Sequence, residues 1–173
     1  MLSTRSLSHA LNTSQNIFSN GINVSIEILI YFIVSIACLF IGRKVLDWIT
    51  PYDLSNQNST EKNLASGITL AGFFIAMAII VHASVSGTVD YEMFSFIEKD
   101  DPSRFALLSA ELITTAVYLF LGIVCLILGR RSLDWITPYD LNKEIQVERN
   151  VGVGAIEASI YISIAVIIHG IIV

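Results

Sequence analysis

Five side chains that titrate interrupt otherwise apolar stretches of this 173-residue chain: Glu27, His82, Glu111, Glu157 and His169. Such groups are costly in hydrocarbon and are functional candidates wherever they occur, with proton or cation transfer the chemistry open to them. Counting from the basic ends of their segments at about 1.5 Å per residue puts Glu111, His82 and His169 in one layer roughly 27 Å across. The same count puts Glu27 roughly 21 Å across and Glu157 only about 10 Å from the basic side. Neither Glu27 nor Glu157 is expected to have a Lys or Arg at hydrophobic depth to neutralise it. Each is expected to be protonated, paired with His or Tyr, or open to a water-filled cavity. For the two histidines, anchoring at the headgroups is the plainer reading.

Other chemistry has little material. An enzyme in the membrane needs a nucleophile beside a base, a His-Glu-x-x-His pair, or carboxylates converging at one depth, and the chain offers none. Ser159 and Ser163 have no His within two turns on their face. The expectation is a protein that is not an enzyme and holds no cofactor and no metal. Cys38 and Cys125 lack the spacing of a metal site and sit near a reducing compartment, so both read as packing residues and not as a disulfide. Asp47, Asp53, Asp134 and Asp140 could suit a hard cation, but Arg43, Lys44, Arg130 and Arg131 compete for them.

The elements that carry these residues follow from composition. Apolar residues make up 54% of the chain and charged residues only 14%, against about 25% charged in soluble domains. Mean hydropathy is +0.68. Spans are expected at 22–41, 64–85, 105–128 and 151–173. The organisation is then a polar tail over 1–21, a first two-span unit over 22–85, an acidic loop over 86–104 and a second two-span unit over 105–173. The tail lacks the apolar core and cleavage site of a signal peptide, and reads as disordered in preference to a short interfacial helix of Leu7, Leu11 and Phe18. Seven of the ten basic residues lie in the loops 42–63 and 129–150. Short basic loops resist translocation, so both loops should face the cytoplasm, with the acidic loop and both termini outside. The net charge of −5 and the lack of a basic surface exclude nucleic acid as a partner.

Sliding the chain by 87 positions aligns Tyr31–His82 with Tyr118–His169 without a gap, and about 23 of those 52 positions are identical, which marks a duplication. The strongest block contains Asp47, Trp48, Thr50, Pro51, Tyr52 and Asp53, repeated as Asp134, Trp135, Thr137, Pro138, Tyr139 and Asp140. Thr as N-cap, Pro at the first helical position and Asp three residues after the cap predict a short surface helix after each elbow, with Trp and Tyr at headgroup depth. Two such elbows make a structural turn or a cytoplasmic docking surface. Further on, Asn63, Gly67, Ala71, Ile75, Ala78 and His82 recur as Asn150, Gly154, Ala158, Ile162, Ala165 and His169, all on one helical face. Their small residues predict a helix-packing seam, with Gly67 and Gly154 at the closest approach. Tyr31, Cys38 and Gly42, with Tyr118, Cys125 and Gly129, make a weaker stripe. Two-span units both enter from the same side, which predicts a pseudo-two-fold axis along the membrane normal.

The doubled GR(K/R)xLDWITPYDL block and the Glu-(Lys/Arg)-Asn entry to the small-residue helix resemble the YjfL-like bacterial inner-membrane family, domain of unknown function 350, in two tandem copies. The resemblance implies an all-α integral membrane protein of four transmembrane helices in the bacterial inner membrane, encoded near envelope-stress genes and without an established activity. The reading is a non-enzymatic scaffold or stress-associated partner protein. The alternative is an oligomeric proton or cation conduit that uses the intramembrane Glu and His. Partners are the lipid bilayer, with a homo-oligomer and a cytoplasmic or membrane stress-response partner both compatible.

Overall fold

A computed structural model describes residues 4–97 and 103–173, with side chains from residue 21 onward. It is all helical: α1 (Thr4–Ile49), α2 (Leu54–Ser59), α3 (Leu64–Ser86), a 3-10 turn (Tyr91–Met93), α4 (Arg104–Ile136), α5 (Leu141–Gln146) and α6 (Val151–Ile172). Among the described residues four stretches are long and apolar enough to cross a membrane: Gly21–Ile49, Leu64–Ser86, Arg104–Ile136 and Val151–Ile172. The chain divides into two compact units, Met1–Ala37 and Cys38–Val173. In the first, residues 4–37 belong to a single helix. Residues 4–20 continue α1 where a disordered tail was expected. They contain no Pro or Gly, and extending an existing helix is far cheaper than starting one. Of the acidic loop, residues 98–102 lie outside the described residues.

Helices α1 and α4 do not stop near residues 41 and 128 as expected. They run through the basic block to Ile49 and Ile136, so Arg43, Asp47, Trp48 and their repeat counterparts are helical and not in loops. Pro51 and Pro138 set the end. Proline brings no N–H and pushes the preceding residue out of the helical region, and Thr137 is extended at φ −80, ψ 136. The Thr50 and Thr137 hydroxyls donate back to the Leu46 and Leu133 carbonyls of the last turn. Threonine therefore closes the long helix, and the N-cap expected of it belongs to aspartate. Asp53 accepts from the Asn56 amide at 3.0 Å. Asp140 accepts from the Asn142 and Lys143 amides. Asn63 and Asn150 then cap α3 and α6 in the same way, after Lys62 and Arg149, whose φ angles of 51° and 52° are the same left-handed turn at equivalent positions.

Within the second unit α3 packs chiefly on α6. The contacts climb together from Ala65 against Gly154 to His82 against His169, so the two helices are parallel. A Cβ on Gly154 would meet the Ala65 carbonyl oxygen at 2.5 Å, and one on Gly72 would run into the Ala158 Cβ. Close approach of this kind is how helices associate where lipid is as apolar as leucine. The closest approach on α3 is thus at Gly72 and not at Gly67, whose nearest neighbour is the Asn58 side chain. On α6 the residues expected in the seam, Gly154, Ala158 and Ala165, are buried, whereas Ala71 and Ala78 of α3 are exposed. A two-fold axis would bring like faces together. Among the described residues His82 and His169 meet as equivalents, whereas Thr69, Gly72 and Phe73 meet Glu157, Ala158 and Tyr161, which stand at other positions of the pattern. Helix α4 lies against both: Thr115 donates to the Ser84 carbonyl at 3.2 Å, Ile80 fills the space over Gly122, and Ile164 that over Gly129.

Candidate functional site

Among the described residues the most deeply buried charge is Glu157, which is 0% exposed. It sits two turns into α6, on the face turned to α3. Because α4 stays helical past Gly129, its Arg130 reaches this level and is itself buried. Arg130 Nε lies 2.8 Å from Glu157 Oε1, an electrostatic contact outside hydrogen-bond alignment. The Tyr161 hydroxyl donates to the same Oε1 at 2.9 Å, and the Thr69 hydroxyl lies 3.4 Å from Oε2. The guanidinium is shared further. One terminal nitrogen donates to the Ile49 carbonyl at 2.9 Å, and the other to Asn142 Oδ1 at 2.6 Å. One cation therefore joins the end of α1, the start of α5 and the carboxylate of α6. This corrects the expectation that Glu157 has only His, Tyr or water to turn to.

Tyr52, in the first elbow, is buried beside this cluster. Its phenol is pushed up to about 12 by burial, raised further by the Glu157 carboxylate and lowered by Arg130. Asn63 ties the elbows together from the other side, donating to Gln57 Oε1 and to the Ile145 carbonyl, each at 2.7 Å. At the surface, Arg149 pairs with Glu61 at 2.9 Å.

The polar surroundings of Glu157 leave a trace in the sequence, although its arginine does not. At the three positions where Glu157, Tyr161 and Thr69 sit, the other repeat carries Leu70, Phe74 and Ile156. Three polar departures from an apolar repeat, all within about two turns, mark one local network.

The remaining candidates are dispersed. His82 Nδ1 and His169 Nε2 are 3.2 Å apart with stacked rings at the far end of the seam, beside an open groove of about 510 Å³ lined also by Ile75, Ala78 and Val166. Glu111 does not join them. It accepts from the Tyr91 hydroxyl at 3.0 Å. Glu27 is half-buried and belongs to the first unit. At the elbow end Trp48 and Trp135 are 81% and 89% exposed, and Trp48 borders a groove of about 340 Å³ with Arg130, Arg131 and Asp134. Asp47 pairs with Arg43 at 3.2 Å, and Asp53 and Asp140 serve as caps. The carboxylates thus point to separate tasks, and among the described residues no three His, Cys, Asp or Glu side chains gather to hold a metal. The two elbows differ: Thr50 and Tyr52 are buried, Thr137 and Tyr139 only half-buried, and Pro51 and Pro138 exposed. Cys38 is buried, but Cys125 is exposed, so only the first packs inside the chain.

The family model described as Domain of Unknown Function (DUF350) matches residues 15–172 in a single stretch that spans both repeats. No curated protein and no solved structure matches the chain.

Proposed function

Starting from the fact that this chain belongs to the family described as Domain of Unknown Function (DUF350), we propose that it is a non-enzymatic membrane scaffold whose elbow end is a docking platform. In this reading it sits in the bacterial inner membrane with that end cytoplasmic and both termini outside, as a partner protein in envelope stress. The observation that carries the reading is what Arg130 does. Its charge is spent on fixing the Ile49 carbonyl, Asn142 and Glu157 relative to one another, which holds both elbows in place. Buried ionic groups used in this way define a geometry and add little net stability. The platform displays Trp48 and Trp135, rings suited to an interface that is half apolar and half wet.

The conduit reading draws less support from Glu157, since Arg130, Tyr161 and Thr69 all contact its carboxylate. The test is flux. Purified protein in vesicles under a pH gradient, at several protein densities, is expected to leak protons and monovalent cations no faster than empty vesicles. A protein-dependent flux that Glu27→Gln abolishes would overturn the scaffold reading.

A further inference from the structure

The α3–α6 seam joins unlike faces of two like helices. Thr69, Gly72 and Phe73 of α3 meet α6, yet their counterparts one repeat later, Ile156, Ser159 and Ile160, are exposed or half-buried. On α6 the contacts come from Glu157, Ala158 and Tyr161, and their counterparts Leu70, Ala71 and Phe74 are likewise exposed or half-buried. An interface between two different faces leaves one of each unfilled at its two ends, and such interfaces propagate into rings or open rows. We propose that the chain assembles with itself head to tail in the plane of the membrane, the second repeat of one copy against the first repeat of the next. Each junction between copies then repeats the contact that the two repeats make inside one chain.

Three further observations fit a second copy as the occupant. Inside the chain, Arg149 of the second repeat pairs with Glu61 of the first. At a junction the equivalent positions are Lys62 and Glu148, again opposite in sign, both exposed, and Lys62 has the same left-handed backbone as Arg149. Inside the chain, Thr69 faces Glu157, whereas the junction brings together Ile156 and Leu70, so both members of the pair change from polar to apolar. At the far end, His82 uses Nδ1 and His169 uses Nε2. The nitrogens left over are the complementary ones, so His169 Nδ1 can meet Nε2 of the next His82 and the contact runs on. Ser159 and Ala71 both carry a Cβ where Gly72 has none, which sets neighbouring copies further apart than α3 and α6. The junction is therefore weaker than the internal seam. The assembly does not depend on the scaffold reading, since a row of copies could line a conduit equally well.

The experiment is directional cross-linking in native membranes, in a Cys38→Ala, Cys125→Ala background. Ala71→Cys and Ser159→Cys, placed on two differently tagged chains, should give a mixed dimer on oxidation, and both placed on one chain should give a ladder of higher species. Lys62→Glu in those chains should cut the yield about tenfold, and adding Glu148→Lys should restore it, with the melting temperature unchanged throughout. Three results would overturn the proposal. One is cross-linking of Ala71→Cys or of Ser159→Cys to itself as readily as to the other, which means like faces pair. Another is no cross-link from correctly inserted chains, which means that lipid or a different protein covers these faces. The last is failure of the charge exchange to restore the yield.

Discussion

Removing Arg130 alone should be far more damaging than removing Arg130 and Glu157 together. At 2.8 Å and an effective dielectric of about 20, the gross attraction of the pair is about 6 kcal/mol, most of it offset by the cost of bringing both charges out of water. Arg130→Met leaves Glu157 buried and uncompensated, which typically costs about 3–5 kcal/mol. It also removes a charged donor from the Ile49 carbonyl and from Asn142, adding about 1–3 kcal/mol for any acceptor left dry. The double change Arg130→Met with Glu157→Leu removes both desolvation costs and places at 157 the residue that the other repeat already carries, Leu70. What remains is the cost of the Ile49 and Asn142 acceptors that Arg130 served, about 1–3 kcal/mol for each left dry, so the double variant is expected to be less damaged than Arg130→Met alone. Thermal unfolding in detergent and in nanodiscs, run as a double-mutant cycle, reads the coupling, which should exceed about 2 kcal/mol. Additive effects of the two single substitutions would refute the reasoning, because they would mean that neither charge depends on the other.

Two further outcomes test the placement of the helices. In the cysteine-free background, Ser55→Cys should be shielded and Ser86→Cys labelled when intact cells meet a membrane-impermeant thiol reagent, and the opposite pattern would reverse the orientation. Gly72→Ala and Gly154→Ala should each cost about 1–3 kcal/mol, because their Cβ atoms enter space held by Ala158 and by the Ala65 backbone. Gly170→Ala, where the new Cβ meets nothing within 4 Å beyond its adjoining residues and its own helix backbone, should leave the melting temperature unchanged. Equal melting temperatures for all three would remove Gly72 and Gly154 from the seam.

Hydropathy alone located four spans because the bilayer imposes a length and a composition on any helix that crosses it, and neither depends on packing partners. The duplication was equally plain, being a property of the letters. Local chemistry was partly legible: Asn63 and Asn150 marked the entry to each helix but were assigned to the seam, whereas they cap α3 and α6 and Asn150 is exposed, and Thr50 and Thr137 were read as caps when they close the preceding helices. That error had one source. The amphipathic end of a long helix and the start of a basic loop have the same composition, and only backbone hydrogen bonds distinguish them.

Which face of each helix is buried was not legible. In lipid both faces are apolar, so the hydrophobic pattern that orients a soluble helix carries no signal, and the small-residue stripe shared by both repeats is buried on α6 while exposed over Ala71 and Ala78 on α3. The partner of Glu157 was hidden for a related reason. Arg130 is 27 positions away on another helix, and its reach to Glu157 depends on where α4 ends and how it crosses α6. The sequence by itself determined four apolar helices, each long enough to cross a membrane. The tertiary structure decided that the copies pack through different faces and that one copy's arginine and glutamate neutralise each other, because contacts between helices are set by shape and charge in three dimensions and not by neighbours along the chain.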